Sequence, residues 1–296
     1  MTLYLGQFAA LTAAFCWAIA TILYSKSSHH LSSLQLNLVK GTIAAPLLLI
    51  GSLFLPGEGW SGWTQYTWLL MTLSGVIGIT IGDSCYFAAL RRLGPGHTIL
   101  LEYLAPPMAA ILAWLVLSEA LSVMQMLASV AVIGGVLLVI SERQLGSRMA
   151  ISRAGVFFAI GAAACQAIGL VMAFHGFVEA AVSPAEAAFV RLFGGTLTLT
   201  LGIILFRPKL LSATFQALHK TRLSNLFAAI TLGTFLGIWL QQIAVAQVTP
   251  GIAQTLLSTA PLFMLGLNAI RGQRISLRAV TGTVVAMVGI SLLFLL

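Results

Sequence analysis

Residues 78–106 read GITIGDSCYFAALRRLGPGHTILLEYLAP, and residues 233–261 read GTFLGIWLQQIAVAQVTPGIAQTLLSTAP. Laid over one another without a gap, at a shift of 155, they share Gly78 with Gly233, Gly82 with Gly237, Pro95-Gly96 with Pro250-Gly251 and Ala105-Pro106 with Ala260-Pro261. The same shift carries Gly134 onto Gly289. Upstream, at a shift of 149, Gly6, Phe8, Ala10, Ala13-Ala14 and Cys16-Trp17-Ala18-Ile19 fall on Gly155, Phe157, Ala159, Ala162-Ala163 and Cys165-Gln166-Ala167-Ile168. Glycine and proline interrupt helices or let them approach closely, so repeating their positions repeats an architecture. Two homologous halves built from membrane helices are the usual plan of a secondary transporter, with the substrate site where the halves meet.

Composition decides the solvent. With 59% hydrophobic residues, 7% charged and a mean hydropathy of +1.02, the chain cannot hide its apolar surface in a water-soluble domain and needs lipid around it. Its 296 residues suffice for about ten spans of roughly 20 residues and little else. Apolar runs broken by charge, proline and glycine place these at 3–24, 34–55, 67–90, 96–117, 122–140, 154–177, 184–206, 224–246, 250–270 and 276–295. Ala18-Ile19-Ala20 looks like a signal-cleavage site, but no basic residue precedes the run and the run has an internal twin at 154–177, so span 1 is expected to be retained. Cys16, Cys85 and Cys165 lie scattered in apolar runs and read as small packing residues, with neither metal-ligand spacing nor a disulfide framework.

The net charge of +8 suggests nucleic acid until its distribution is read. Thirteen of the fifteen Lys and Arg follow spans 1, 3, 5, 7 and 9: Lys26; Arg91 and Arg92; Arg143, Arg148 and Arg153; Arg207, Lys209, Lys220 and Arg222; Arg271, Arg274 and Arg278. The alternate connections carry Glu58, Glu119 and Glu179, with Glu186 at a span's edge. The positive-inside rule therefore places the odd-numbered connections in the cytoplasm and both termini outside. An odd number of spans per half makes the second half enter the membrane opposite to the first, as an inverted repeat. The domain plan is a first five-helix repeat at 1–141, a basic cytoplasmic connection at 142–153 and a second, inverted repeat at 154–296. Anionic lipid headgroups are then the incidental partner of the basic charge, and no nucleic-acid role is expected.

At this point the chain resembles a ten-helix member of the drug/metabolite transporter superfamily, of the type with two EamA domains. The resemblance rests on the small-residue first helix ending in Cys16-Trp17-Ala18-Ile19 and on a charged residue near the start of each half's second helix, Lys40 and Arg191. It rests also on the stretch from Gly82 through Ala88-Ala89-Leu90 to Leu104-Ala105-Pro106, and on the helix end Leu117-Ser118-Glu119. It covers nearly the whole chain and identifies a fold better than a substrate. It implies an all-α integral membrane protein of ten transmembrane helices in two inverted EamA-type repeats. It further implies a central cavity lined by helices 1, 3, 4, 6, 8 and 9, with 5 and 10 at the edges. Bacterial relatives carry cytoplasmic termini, whereas the charge segregation here favours the opposite.

The repeat also filters for function: residues common to both halves are scaffold, and a polar residue with an apolar counterpart is a candidate for chemistry. Asp83 pairs with Ile238 and Glu102 with Leu257. An ionised carboxylate inside a span costs on the order of 2.5–3.5 kcal/mol or more unless paired, protonated or facing water. The two are candidates for proton coupling or cation binding; the alternative is a fixed ion pair or interhelical hydrogen bond. His97, just after Pro95-Gly96, is either a proton relay or a helix-end cap. Lys40 and Arg191 occupy corresponding places about 10 Å into their spans, and read either as scaffold, snorkelling or ion-paired, or as contacts to an anionic substrate group. Trp17 meets Gln166, Tyr86 meets Gln241, Ser84 meets Trp239 and Tyr103 meets Ser258, an asymmetry that suits an asymmetric ligand. The substrate-lining candidates are thus Trp17, Tyr86, Tyr103, Gln166, Trp239 and Gln241, with Gln254 and Gln242 of the same kind; ordinary bundle packing is the competing reading. Pro106 and Pro261 are candidate hinges. Ser183-Pro184-Ala185-Glu186 reads as a capping box, and Tyr66, Trp60, Trp63 and Trp68 as an interfacial aromatic belt.

No GxxxxGK[ST] phosphate loop, HExxH or GxSxG elbow occurs in the sequence, so neither a P-loop engine nor those catalytic centres are available. No catalytic residue, metal or cofactor is expected. The expectation is a carrier in the cell membrane, the inner membrane of a bacterium, working by alternating access as monomer or homodimer. Its substrate is expected to be a small polar or zwitterionic, amino-acid-like metabolite, exported in exchange for protons through Asp83 or Glu102. The rival classes are an intramembrane enzyme using Asp83, Glu102 and His97, and a facilitative channel or scramblase.

Overall fold

The structure, a computed structural model, describes residues 4–27, 30–54, 59–144, 152–270 and 276–295. Glu58, Arg148, Arg271 and Arg274, used above for orientation, lie outside the described residues. Among the described residues there is no strand. The first half comprises α1 (Leu5–Ser27), α2 (Ser33–Phe54), α3 (Gln65–Gly94), α4 (95–102), α5 (Ala105–Leu117) and α6 (Val123–Gln144). The second comprises α7 (Arg153–Glu179), α8 (Pro184–Phe206), the short α9 (Lys209–His219), α10 (Leu223–Gln247), α11 (Pro250–Leu257), α12 (Ala260–Ile270) and α13 (Leu277–Leu295). Eight helices among the described residues are long and apolar enough to cross a membrane, and the shorter apolar Ala105–Leu117 and Val123–Val139 hold the places of spans 4 and 5. Outward-facing Leu115, Val116, Leu127, Val284 and Val288 leave an apolar perimeter, as lipid solvation requires.

The helices pack in exchanged pairs. α1 lies along α10 and α7 along α3; α1 touches α11 and α12 while α7 touches α5. α2 packs on α8, and α6 and α13 form the tightest pairing of all, away from the centre. These main contacts recur with the roles of the halves reversed, which is the signature of a pseudo-twofold relation. Tyr103 fixes where its axis runs. Its hydroxyl donates to the carbonyl of Ser258 at 2.5 Å, and Ser258 is its own repeat counterpart. Two equivalent residues can touch only close to the axis that relates them.

Helical irregularities recur too. A π-helical stretch, Val76–Asp83, interrupts α3, and Ile230–Leu236 interrupts α10 at an overlapping place in the repeat. The wider π turn weakens the regular ladder and is common at functional sites. Here Asn37 Nδ2 donates to the carbonyl of Ile79 at 2.8 Å, and Thr80 Oγ1 donates to the carbonyl of Gly195 at 2.6 Å. A second break precedes the paired prolines Pro95 and Pro250. Gly94 turns with φ 73° and ψ 170°, a conformation that favours glycine, whereas the second half uses extended Val248 at φ −136°. A third falls at Tyr103-Leu104 and at Ser258-Thr259, directly before Ala105-Pro106 and Ala260-Pro261. Spans 4 and 9 are therefore both discontinuous, each resuming at a proline near its new N-terminus, where no N–H is needed.

Capping follows the sequence at α8, with one change. Ser183 Oγ accepts from the Glu186 amide at 3.2 Å, but the Glu186 carboxylate, instead of reaching back, accepts from Trp63 Nε1 at 2.9 Å. Trp63 is buried, so of the aromatic belt Trp68 and Tyr66 face outward while Trp63 serves as an internal tie between the halves.

Candidate functional site

A cavity of about 210 Å³ lies where the halves meet. α1 contributes Trp17, Thr21 and Tyr24; α2 contributes Lys40. From α3 come Gly78, Asp83, Tyr86 and Phe87, and from the broken fourth span Glu102, Tyr103 and Ala105. The second half adds Gln166 from α7, Arg191 from α8, Thr234, Ile238 and Gln241 from α10, and Gln254, Ser258 and Pro261 from the broken ninth span. Spans 1, 3, 4, 6, 8 and 9 all take part, with one side chain each from spans 2 and 7; α6 and α13 take none.

Interruptions of the helices supply its walls. Small residues of the π stretch in α10 let α1 approach closely: a β-carbon on Gly233 would stand 2.5 Å from Ala20 Cβ, and Trp17 Nε1 donates to the Gly233 carbonyl at 2.8 Å. One residue on, Thr234 Oγ1 shares a 2.7 Å hydrogen bond with the Tyr24 hydroxyl. These bonds hold two aromatic side chains in the cavity wall.

Four charged side chains line this space. Lys40, 6% exposed, forms an ion pair with Asp83, and its ammonium also stands 5.4 Å from the centre of the Phe87 ring. Snorkelling is thereby replaced by pairing within the bundle. Arg191, the counterpart of Lys40, is 2% exposed, and its Nε and Nη1 have no hydrogen-bond partner among the described residues. Its guanidinium rests beside Gly78, where a β-carbon would stand 3.5 Å from Nη2. Glu102, half-buried, makes neither hydrogen bond nor ion pair among the described residues. Gln241 and Gln254 are buried, and each keeps one side-chain polar atom without a partner. Gln242 is buried away from the cavity lining, and neither of its side-chain polar atoms has a partner among the described residues.

Other candidates fall elsewhere. His97 and Trp239 do not line the cavity; Trp239 packs 6.2 Å from the Phe235 ring instead. Pro106 is buried and takes no part in the lining, while Pro261 reaches the lining itself. Tyr24 and Thr234 were not singled out in the sequence, although the repeat marks them: Tyr24 falls on Ala173 and Thr234 on Ile79, each a polar residue with an apolar counterpart. Among the described residues no group of three or more His, Cys, Asp or Glu could hold a metal ion.

Comparison with known proteins agrees with this architecture. The sequence profile of the EamA-like transporter family matches residues 4–141 and again 153–295. A protein of Archaeoglobus fulgidus named as an uncharacterized transporter is 27% identical over 293 residues, covering 97% of this chain and 96% of its own length. One solved crystal structure superposes with a TM-score of 0.74 over 98% of this chain and 97% of that chain, at 16% identity, a likeness that bears on the fold alone.

Proposed function

This chain belongs to the EamA-like transporter family, and we propose on that premise that it is a secondary active carrier of a small polar or zwitterionic metabolite. The observation that carries the reading is the cavity between exchanged halves, walled by helices that break at equivalent points. Broken helices give the backbone a place to bend, and with the Tyr103–Ser258 bond near the axis they suit rocking of one half against the other. Pro106 and Pro261, each opening the second segment of a broken span, are the hinge positions in this scheme.

Proton exchange supplies the driving force in this reading. Asp83 is committed to Lys40, which favours Glu102 as the coupling carboxylate: unpartnered, it can hold a proton in one state and a cationic substrate group in the other. Binding of one excludes the other, so the carrier exchanges proton for substrate without a nucleotide. The enzyme alternative has less support: of its acid/base set of Asp83, Glu102 and His97, Asp83 is ion-paired with Lys40 and His97 lies outside the cavity, which leaves Glu102 without a free acid/base partner there.

Proteoliposomes containing the purified protein test this reading. A solute should be moved unaltered, with saturation, and accumulated when a pH gradient is applied. Glu102→Gln should abolish gradient-driven accumulation while counterflow at zero gradient persists. Gradient-driven uptake by Glu102→Gln at the wild-type rate per folded molecule would defeat coupling through this residue. Orientation is checked separately: with both termini extracytoplasmic, a C-terminal alkaline phosphatase fusion is active and a green fluorescent protein fusion is dark.

A further inference from the structure

Arg191 poses a problem that its surroundings do not solve. A guanidinium carries five N–H donors and no acceptor, and one that is taken out of water needs acceptors at close range. At 2% exposure, Arg191 leaves Nε and Nη1 unsatisfied among the described residues. Elsewhere in the fold its equivalent is satisfied. Lys40 occupies the same place in the first half and has Asp83 on the neighbouring span 3. The counterpart of Asp83 on span 8 is Ile238, which lines the cavity but offers no charge. α8 lies against α10 as α2 lies against the same part of α3, so the repeat provides the place for a counter-ion and the sequence leaves it apolar.

The rest of the cavity narrows what could fill that place. Asp83 is engaged by Lys40, which leaves, among the described residues that line the cavity, one unpartnered cation, Arg191, from the second half and one unpartnered carboxyl group, Glu102, from the first. A single free cation matches a monoanion such as a carboxylate better than a phosphate dianion. An ammonium on the same molecule would satisfy Glu102, and the amides of Gln241 and Gln254 can take a further polar group. The space, about 210 Å³, is below the roughly 300–1,000 Å³ of drug-sized sites.

We propose that Arg191 is the receptor for the carboxylate of the transported molecule, left free for that task because Ile238 stands where the repeat would place a second aspartate. The inference rests on the carrier reading above and adds to it the residue that selects for an acid. A planar guanidinium binds a carboxylate through two parallel N–H···O bonds, which fixes orientation as well as charge. A ligand held between Arg191 and Glu102 also bridges the two halves, so its binding and release are tied to their relative position.

The test uses the purified full-length protein and matched probes: the proteinogenic L-amino acids, each beside its carboxamide, scored by thermal shift and then by titration calorimetry. Wild type should bind at least one acid at least tenfold more tightly than its amide. Arg191→Gln should bind acid and amide alike. Ile238→Asp keeps Arg191 but gives it an internal partner; it should melt no lower than wild type and bind the acid at least tenfold more weakly. If Arg191→Gln fails to fold, Ile238→Asp still decides. The proposal is overturned if either folded variant retains the wild-type preference for the acid, or if wild type binds no acid in preference to its amide. Saturable solute flux in proteoliposomes together with any of those results sinks the role of Arg191 and leaves the carrier reading standing. Absence of flux as well removes both.

Discussion

Lys40 and Arg191 stand at one place in two halves of the same design, and they have opposite fates. Lys40 is tied to Asp83 and becomes part of the wall; Arg191 shares the cavity with Ile238, the counterpart of Asp83, and has no ion-pair partner among the described residues. Backbone equivalence is kept around both, since the spans break at matching points and pack in exchanged pairs. What differs is the side chain on the adjacent span. The lesson is that the repeat builds the scaffold and departures from it set the charge of the cavity.

The sharpest way to break this comparison is to remove the first-half carboxylate. Asp83→Leu leaves Lys40 buried without a counter-charge and should cost about 3–5 kcal/mol, seen as a collapse of folded yield in fluorescence-detected gel filtration. Lys40→Met combined with Asp83→Leu should recover most of that loss, because replacing both members of a buried pair by apolar groups is often neutral. Arg191→Met, by contrast, should melt near the wild-type temperature, having no partner to abandon. Equal losses for Asp83→Leu and Arg191→Met would erase the distinction.

A smaller effect probes how Arg191 is seated. The backbone carbonyl of Arg191 lies directly against Gly75, whose repeat counterpart is the buried Ile230. Gly75→Ala should force α3 from α8 at a cost of about 1–3 kcal/mol in a denaturation assay. Gly134→Ala, where a β-carbon meets nothing within 4 Å, should be neutral or raise stability by up to about 1 kcal/mol. Smaller still, Tyr103→Phe removes the hydroxyl that joins the two breaks and should cost about 0.5–1.5 kcal/mol, with the cavity otherwise intact.

Much of the fold was legible because its causes are local or repeated. Apolar runs of span length, and Pro106 and Pro261 at the same offset, require no knowledge of neighbours. Trp17 with Gln166 and Tyr86 with Gln241 were singled out as counterparts of unlike chemistry, and Asp83 and Glu102 by asking which polar residues have an apolar counterpart, a filter that ends at the cavity lining for both. It would have reached Tyr24 and Thr234 had it been applied along the whole chain. The comparison of unlike counterparts did not lead to the lining for Trp239, whose counterpart is Ser84 and which turns toward Phe235. Which way a side chain points depends on the helix's rotation about its axis, and the π stretch just before Trp239 alters that rotation.

The sequence by itself determined the solvent, the two-part plan, the paired prolines beside which the fourth and ninth spans break and the small set of polar residues available to a site. These follow from hydropathy, from the geometry of glycine and proline, and from comparing the chain with itself. Only the tertiary structure decided which charge meets which. Lys40 and Asp83 are 43 residues apart, Trp63 and Glu186 are 123 apart, and Trp17 and Gly233 are 216 apart. Such partners are chosen by how helices cross and turn against one another, a property of the packed bundle that no stretch of either helix carries alone.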